Sequence, residues 1–194
     1  MLLIAGLGNP EPKYKGNRHN LGFMVVDRLF EQYGEGTFQG KFNGEFAKIS
    51  ISAQEVVLLK PMTFMNLSGN SVQKTMHYFK IPVDDLIVVH DELDLGFGVT
   101  RIKVGGGSAG HKGVQSIVDQ CGNADFVRVR VGIGRPAIGT VESYVLSGFT
   151  VEERSRLPDV LDNATALLAH IVNRGVQDAM NKFHSYTPDD GTTI

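Results

Sequence analysis

The chain has one cysteine, Cys121, in 194 residues. A lone thiol excludes an intramolecular disulfide framework and removes the ordinary cysteine-based zinc sites. With Ile117, Val118 and Gln120 around it, it reads as an inert helix cysteine. No apolar run approaches the ~20 residues a bilayer requires, and the opening MLLIAGLGNP has neither a basic leader nor an apolar stretch of signal length. A cytoplasmic protein with no membrane partner is expected. Excess positive charge is lacking too: 19 Lys and Arg stand against 21 Asp and Glu, a net charge of −2 that argues against a protein coating nucleic acid. No serine sits in a GxSxG turn, so a covalent intermediate has no obvious nucleophile and water is the expected attacker.

What is present, 42% hydrophobic and 21% charged residues with 23 glycines, describes a soluble globular chain whose length fits one domain, residues 1–194. Its charge is uneven. Residues 101–135 hold Arg101, Lys103, Lys112, Arg128, Arg130 and Arg135 against Asp119 and Asp125, whereas residues 81–100 hold five acids and no Lys or Arg. A local basic surface for phosphate fits this segment, and so do ordinary solvated strand faces.

Periodicity assigns the elements. Leu2–Gly6 is a short apolar strand, and residues 20–33 form a helix because Phe23, Val26, Leu29, Phe30 and Tyr33 recur at three- and four-residue steps. Residues 45–60 read as two strands turning near residues 52–54, ended by Pro61. A helix over residues 66–79 follows, with Asn66 or Ser68 as candidate N-cap. Residues 86–90 are apolar enough for a strand covered on both faces. Residues 101–104 and 126–133 alternate as strands do, and residues 111–121 between them are helical. Thr150 and Glu153 have capping-box spacing; the helix they open is expected to yield at Pro158 to a new one running to about residue 173. A short helix over residues 178–183 precedes a polar tail, residues 185–194, expected to be flexible. Strands alternating with helices predict an α/β fold with one twisted mixed sheet flanked by helices.

Ligands of open α/β sheets bind beyond the carboxyl ends of the strands. Those ends deliver Asn9, Asn66, Asp91 and Lys112 to one rim, with His19 nearby. His19 and Asp91 suggest a general base and the carboxylate that orients it, since an imidazole titrates near ~6.5; a helix-capping histidine and a solvated strand end are the alternative. The run His90-Asp91-Glu92-Leu93-Asp94 leaves a metal reading, weakened because neighbouring strand residues face opposite sides. GLGNP lacks the third glycine of a dinucleotide fingerprint and is interrupted by Pro10 and Pro12, which excludes that cofactor. GGGSAGHKG, residues 105–113, opens onto a helix and suits either phosphate or a plain turn. Met62, Phe64 and Met65 would line a groove or pack in the core, and Tyr14 would stack on a base or lie on the surface.

The segments GLGNPEPKYKGNRHNLGF, LLKPMTFMNLSG, VVHDELDLGFG, KVGGGSAGHKG, RVRVGIGRP and AMNKFH together resemble the bacterial-type peptidyl-tRNA hydrolase family, in order, from residue 3 to residue 184. The resemblance implies a monomeric, cofactor-free α/β enzyme that hydrolyses the ester between a peptide and the 3′-terminal ribose of tRNA, with peptidyl-tRNA as its partner. It implies His19 as general base, Asp91 as its carboxylate and Asn9 as the reader of the blocked amine. Tyr14, Phe64 and Asn66 would contact substrate, Met65 would line the groove, and Lys103 and Arg130 would hold tRNA phosphate. One position departs from the pattern: where the family has GHNG this chain has GHKG, so Lys112 replaces an asparagine that contacts substrate. A cation there disfavours an imidazolium at His19, and implies retuned activity, a direct lysine contact to substrate, or a catalytically weakened RNA-binding relative. Residues 136–150, which mix glycines with apolar residues, are a candidate lid or a packed segment.

Overall fold

The computed structural model describes residues 1–184; the expected flexible tail, residues 185–194, lies outside them. In chain order the described elements are β1 (Leu2–Gly6), α1 (Leu21–Tyr33), β2 (Gln39–Lys41), β3 (Gly44–Ile51), β4 (Gln54–Pro61), α2 (Ser68–Phe79), β5 (Leu86–Glu92), β6 (Thr100–Val104), α3 (Lys112–Cys121), β7 (Val127–Gly132), α4 (Val141–Val145), α5 (Val151–Arg174) and α6 (Val176–Phe183). The strands form one mixed sheet in the order β2-β3-β4-β1-β5-β7-β6. The pairs β1–β4, β1–β5 and β5–β7 are parallel, and β2–β3, β3–β4 and β6–β7 antiparallel.

The central strands are apolar throughout because helices cover both faces. On one face Ile4, Ile87 and Val129 meet Leu29 of α1 and Leu167 and Leu168 of α5. On the other Leu3, Ala5 and Val88 meet Val72 of α2 and Val114 and Ile117 of α3. At Gly69 in α2 an added Cβ would run into the Ser116 backbone of α3, so glycine lets these helices touch, and the Gly69 N–H donates to Ser116 Oγ at 3.0 Å. That contact fixes the two helix starts relative to one another.

Several expectations are corrected. The chain does not break at Pro158: α5 is one helix of 24 residues with the proline inside it. Pro158 is exposed, so the carbonyl it leaves without an N–H partner can turn to water. The capping box at Thr150 and Glu153 is present as expected. Neither Asn66 nor Ser68 caps α2; the chain enters through a 3-10 turn, Met65–Leu67, and Asn66 stays exposed. β5 runs two residues further than residues 86–90, which buries His90, Asp91 and Glu92 inside the strand. β2, too short and polar to show a period, and α4, within residues 136–150, were not foreseen.

One correction concerns the rim. β6 runs antiparallel to β7, so its carboxyl end lies opposite those of β1, β4 and β5. The glycine-rich loop must climb back along the sheet, and it lines the cleft at the rim from Ser108 to Lys112. Arg128, one of the six cations of the expected basic surface, is buried at 2% exposure and donates to the carbonyls of Gly107, at 2.7 Å, and Gly106. It fastens that climb rather than facing solvent.

Candidate active site

β1, β4 and β5 end around a cleft of about 780 Å³, whose lining includes Asn9, Tyr14, His19, Phe64, Met65, Asn66, Asp91 and Lys112. Parallel pairing of β1 with both neighbours delivers the carboxyl ends of the first, fourth and fifth strands to one end of the sheet. At its floor, Asp91 Oδ1 lies 2.9 Å from His19 Nδ1 and 3.1 Å from His111 Nε2. His19 occupies the 3-10 turn Arg18–Asn20, which opens α1 and is capped by Asn17. Burial alone would raise the Asp91 carboxyl, but attraction and hydrogen bonds from His111 and His19 outweigh it and hold the group below the usual carboxylate range. An ionised Asp91 accepts only. The proton of His19 therefore sits on Nδ1, which leaves Nε2 as its basic nitrogen.

His111 is the residue that sequence reasoning missed. Its Nδ1 accepts from the N–H groups of Gly113 and Val114 at 3.2 and 3.3 Å, so its proton is on Nε2 and points at Asp91. Two consequences follow. The α3 amides that would cradle phosphate are already capped by this ring, which removes the anion reading of the loop. His19, Asp91 and His111 also have ligand atoms within 4.8 Å of one another, yet a metal would need the Nε2 lone pair of His111, and this tautomer presents a proton there. The set fits a hydrogen-bonded triad better than a metal centre. His90, next along β5, turns its Nδ1 to the Asp91 carbonyl at 2.7 Å and joins no ligand cluster among the described residues.

Asn9 is held from three sides. Its N–H donates to Asn20 Oδ1 at 2.8 Å, its carbonyl accepts from Asn20 Nδ2 at 3.0 Å, and its own Oδ1 accepts from the Met65 N–H at 3.1 Å. The oxygen of its carboxamide is thus engaged, and the amide nitrogen remains to donate into the cleft. Met65 is buried, while Phe64 is 59% exposed at the mouth. Tyr14 is half-buried on the 3-10 turn Pro12–Tyr14, with Lys13 Nζ 4.7 Å from its ring centre.

The opposite wall is the 140–150 segment. Arg18 is buried and donates to Ser147 Oγ at 2.8 Å, to the Gly148 carbonyl and to Glu153 at 2.6 Å, with the Tyr144 ring 4.4 Å away. It clamps this wall to the turn that carries His19. Lys112, largely exposed, reaches Glu142 of α4 at 3.8 Å across the cleft mouth. Lys103 and Arg130 stand outside the cleft lining, on the paired strands β6 and β7 at the sheet edge. Arg130 lies 3.4 Å from Glu92. Cys121 ends α3 half-buried, and burial pushes its thiol up.

A mixed α/β sheet whose parallel strands end at a histidine–carboxylate pair in an open cleft, where the lining Ser108 hydroxyl donates to Gln115 rather than to a histidine, defines a hydrolase-like α/β protein. A model of the peptidyl-tRNA hydrolase family matches residues 3–190, and the chain belongs to that family. Similar relatives include a peptidyl-tRNA hydrolase of Sorangium cellulosum, 50% identical over 93% of this chain and 82% of that one. Another, from Geotalea daltonii, is 45% identical over 94% and 96%. The crystal structure of peptidyl-tRNA hydrolase from Acinetobacter baumannii superposes with a TM-score of 0.90 at 38% identity, covering 97% of this chain and 96% of that one. Among the described residues no helix is long and apolar enough to cross a membrane.

Proposed function

We propose that this chain is a single-domain, cytoplasmic, monomeric enzyme that hydrolyses the ester between the peptide and the 3′-terminal ribose of peptidyl-tRNA. The observation that carries the reading is the His19–Asp91 pair sharing one cleft with the donor face of Asn9, in a member of this family. His19 Nε2 takes a proton from water as its oxygen attacks the ester carbonyl carbon, and Asp91 stabilises the imidazolium that forms. Asn66 donates to the developing oxyanion. The carbon–oxygen bond to the ribose then breaks, and the proton on His19 passes to the departing ribose oxygen. No cofactor takes part.

Asn9 distinguishes the substrate by the same logic of donors. Because its Oδ1 is engaged with Met65, it offers an N–H, which matches the acyl carbonyl of a blocked amine and finds no acceptor on a free ammonium. Met65 lines the groove, Phe64 and Tyr14 contact the terminal nucleoside, Lys112 meets the substrate at the mouth, and Lys103 with Arg130 hold backbone phosphate. The test is hydrolysis of N-blocked aminoacyl-tRNA with and without EDTA. His19→Ala should lose ~10²- to 10⁴-fold in kcat, and EDTA should leave the wild-type rate unchanged. Equal rates for both proteins would overturn the general-base assignment, and inert wild type that still binds tRNA would favour an RNA-binding relative.

A further inference from the structure

The segment AMNKFH, singled out in the sequence, ends at His184, and nothing in the cleft uses it. Its place in the fold is specific. His184 Nε2 accepts the backbone N–H of Ile102 at 2.9 Å. Ile102 is the middle residue of β6, the edge strand, whose strand partner among the described residues is β7. β6 is only five residues long, and its open edge leaves backbone groups that a covering helix or loop can help to pair. That help comes from α6, which is itself anchored: Ala179 is fully buried, and Met180 and Phe183 pack against the core.

The residues flanking Ile102 are Arg101 and Lys103, and in the register of the two strands Arg101 lies opposite Arg130 and Lys103 opposite Arg128. Side chains at alternate positions of a strand share a face, and so do those of directly opposed residues. All four cations therefore share one face of the β6–β7 pair, while Ile102 and Val129 enter the core on the other. Burial, with Arg101 and Arg130 nearby, lowers the pKa of His184, which keeps the accepting nitrogen free of a proton.

We infer that His184 is a positioning residue for tRNA: by hydrogen-bonding the edge of β6 it fixes the strand that places Lys103 diagonally across from Arg130 on one face of the β6–β7 pair. The inference rests on the proposed phosphate role of Lys103 and Arg130. It assigns His184 no contact with the ester and no part in proton transfer.

The experiment measures the affinity of uncharged tRNA across a salt series, together with turnover of an N-acetyl-aminoacyl ester of adenosine, which has the reacting bond and no phosphate backbone. His184→Ala should weaken tRNA binding by about fivefold, roughly 1 kcal/mol, with a shallower dependence of affinity on salt. Its turnover of the small ester should match wild type. His184→Gln, whose side-chain oxygen can accept the same N–H, should restore tRNA affinity. Wild-type affinity in a folded His184→Ala, an equal loss in His184→Gln, or an equal loss on the small ester would each overturn the inference. Lys103→Ala separates the premise from the inference: if it leaves affinity and salt dependence unchanged, the phosphate platform itself fails and the role of His184 falls with it. If Lys103→Ala weakens binding and His184→Ala does not, only the positioning role is lost.

Discussion

His111 donates to the same oxygen of Asp91 that His19 does, Oδ1, from the other side and at 3.1 Å. One carboxylate oxygen is shared between two imidazoles whose ring centres lie 5.0 Å apart. Asp91 is therefore less available to His19 than in a simple pair, because part of its charge is compensated by His111.

His111→Ala should release that share. The carboxylate then supports the imidazolium of His19 more strongly, so the acidic limb of the pH profile of kcat/KM for N-blocked aminoacyl-tRNA should move to higher pH. The same variant also loses the cap of α3 and should melt lower, by about 1 kcal/mol of stability. A pH profile superimposable on wild type would show that the shared oxygen does not couple the two rings.

Acid should destabilise the protein through His90. Burial first, then the neighbouring His111, lowers its pKa to about 3, and its Nε2 is buried without a hydrogen-bond partner among the described residues. The folded state thus holds this ring neutral while the unfolded chain protonates it near ~6.5. Its stabilising contribution is complete above that pH and is lost as pH falls from ~6.5 towards 3. His90→Asn keeps a donor for the Asp91 carbonyl and cannot titrate there, so its melting temperature should fall less steeply across that window. Asp91, with its carboxyl also held low, adds its own loss at more acid pH.

Arg18→Met should cost on the order of 3–5 kcal/mol, because it leaves Glu153 and the Gly148 carbonyl without the buried cation that joins them. Calorimetry measures the loss. Limited proteolysis should then cut faster within residues 136–150 than it does in wild type. A melting point near wild type would mean that the capping box of α5 and the packing of Phe149 hold this wall without the arginine.

Lys112→Asn restores the asparagine that the family pattern has at this place. The pair it removes, Lys112 with Glu142, is exposed on both sides and worth less than ~1 kcal/mol, so the melting temperature should stay put. Steady-state kinetics on peptidyl-tRNA should nevertheless change in kcat or KM, since Lys112 lines the cleft mouth. Unchanged constants would remove Lys112 from the substrate site.

Much of this fold was legible in the sequence because the signal was local. The 3.6-residue recurrence of Phe23, Val26 and Leu29, and the unbroken apolar run of β5, follow from which faces must be dry, and burial of one face sets the period. The capping box at Thr150 and Glu153 was likewise written in four consecutive residues. Pro158 was misleading for the same reason: a local rule expects a break, whereas the long apolar face of α5 against the sheet carries the helix through an exposed proline.

Position along the chain named His19, Asp91, Asn9 and Asn66 as candidates, since they are polar residues where strands of an α/β sheet run out. Their partners were not nameable, because hydrogen bonds between residues far apart in sequence leave no periodic trace. That His111 shares Asp91 with His19, that Asn20 holds Asn9, and that Arg18 and Arg128 are buried clamps were decided by which segments the sheet order brings together. The sequence alone determined which side chains are chemically able to act and which elements they sit on. Only the tertiary structure decided which nitrogen of His19 carries its proton and that the amide oxygen of Asn9 is already taken, because those depend on contacts across 72 and 56 residues of chain.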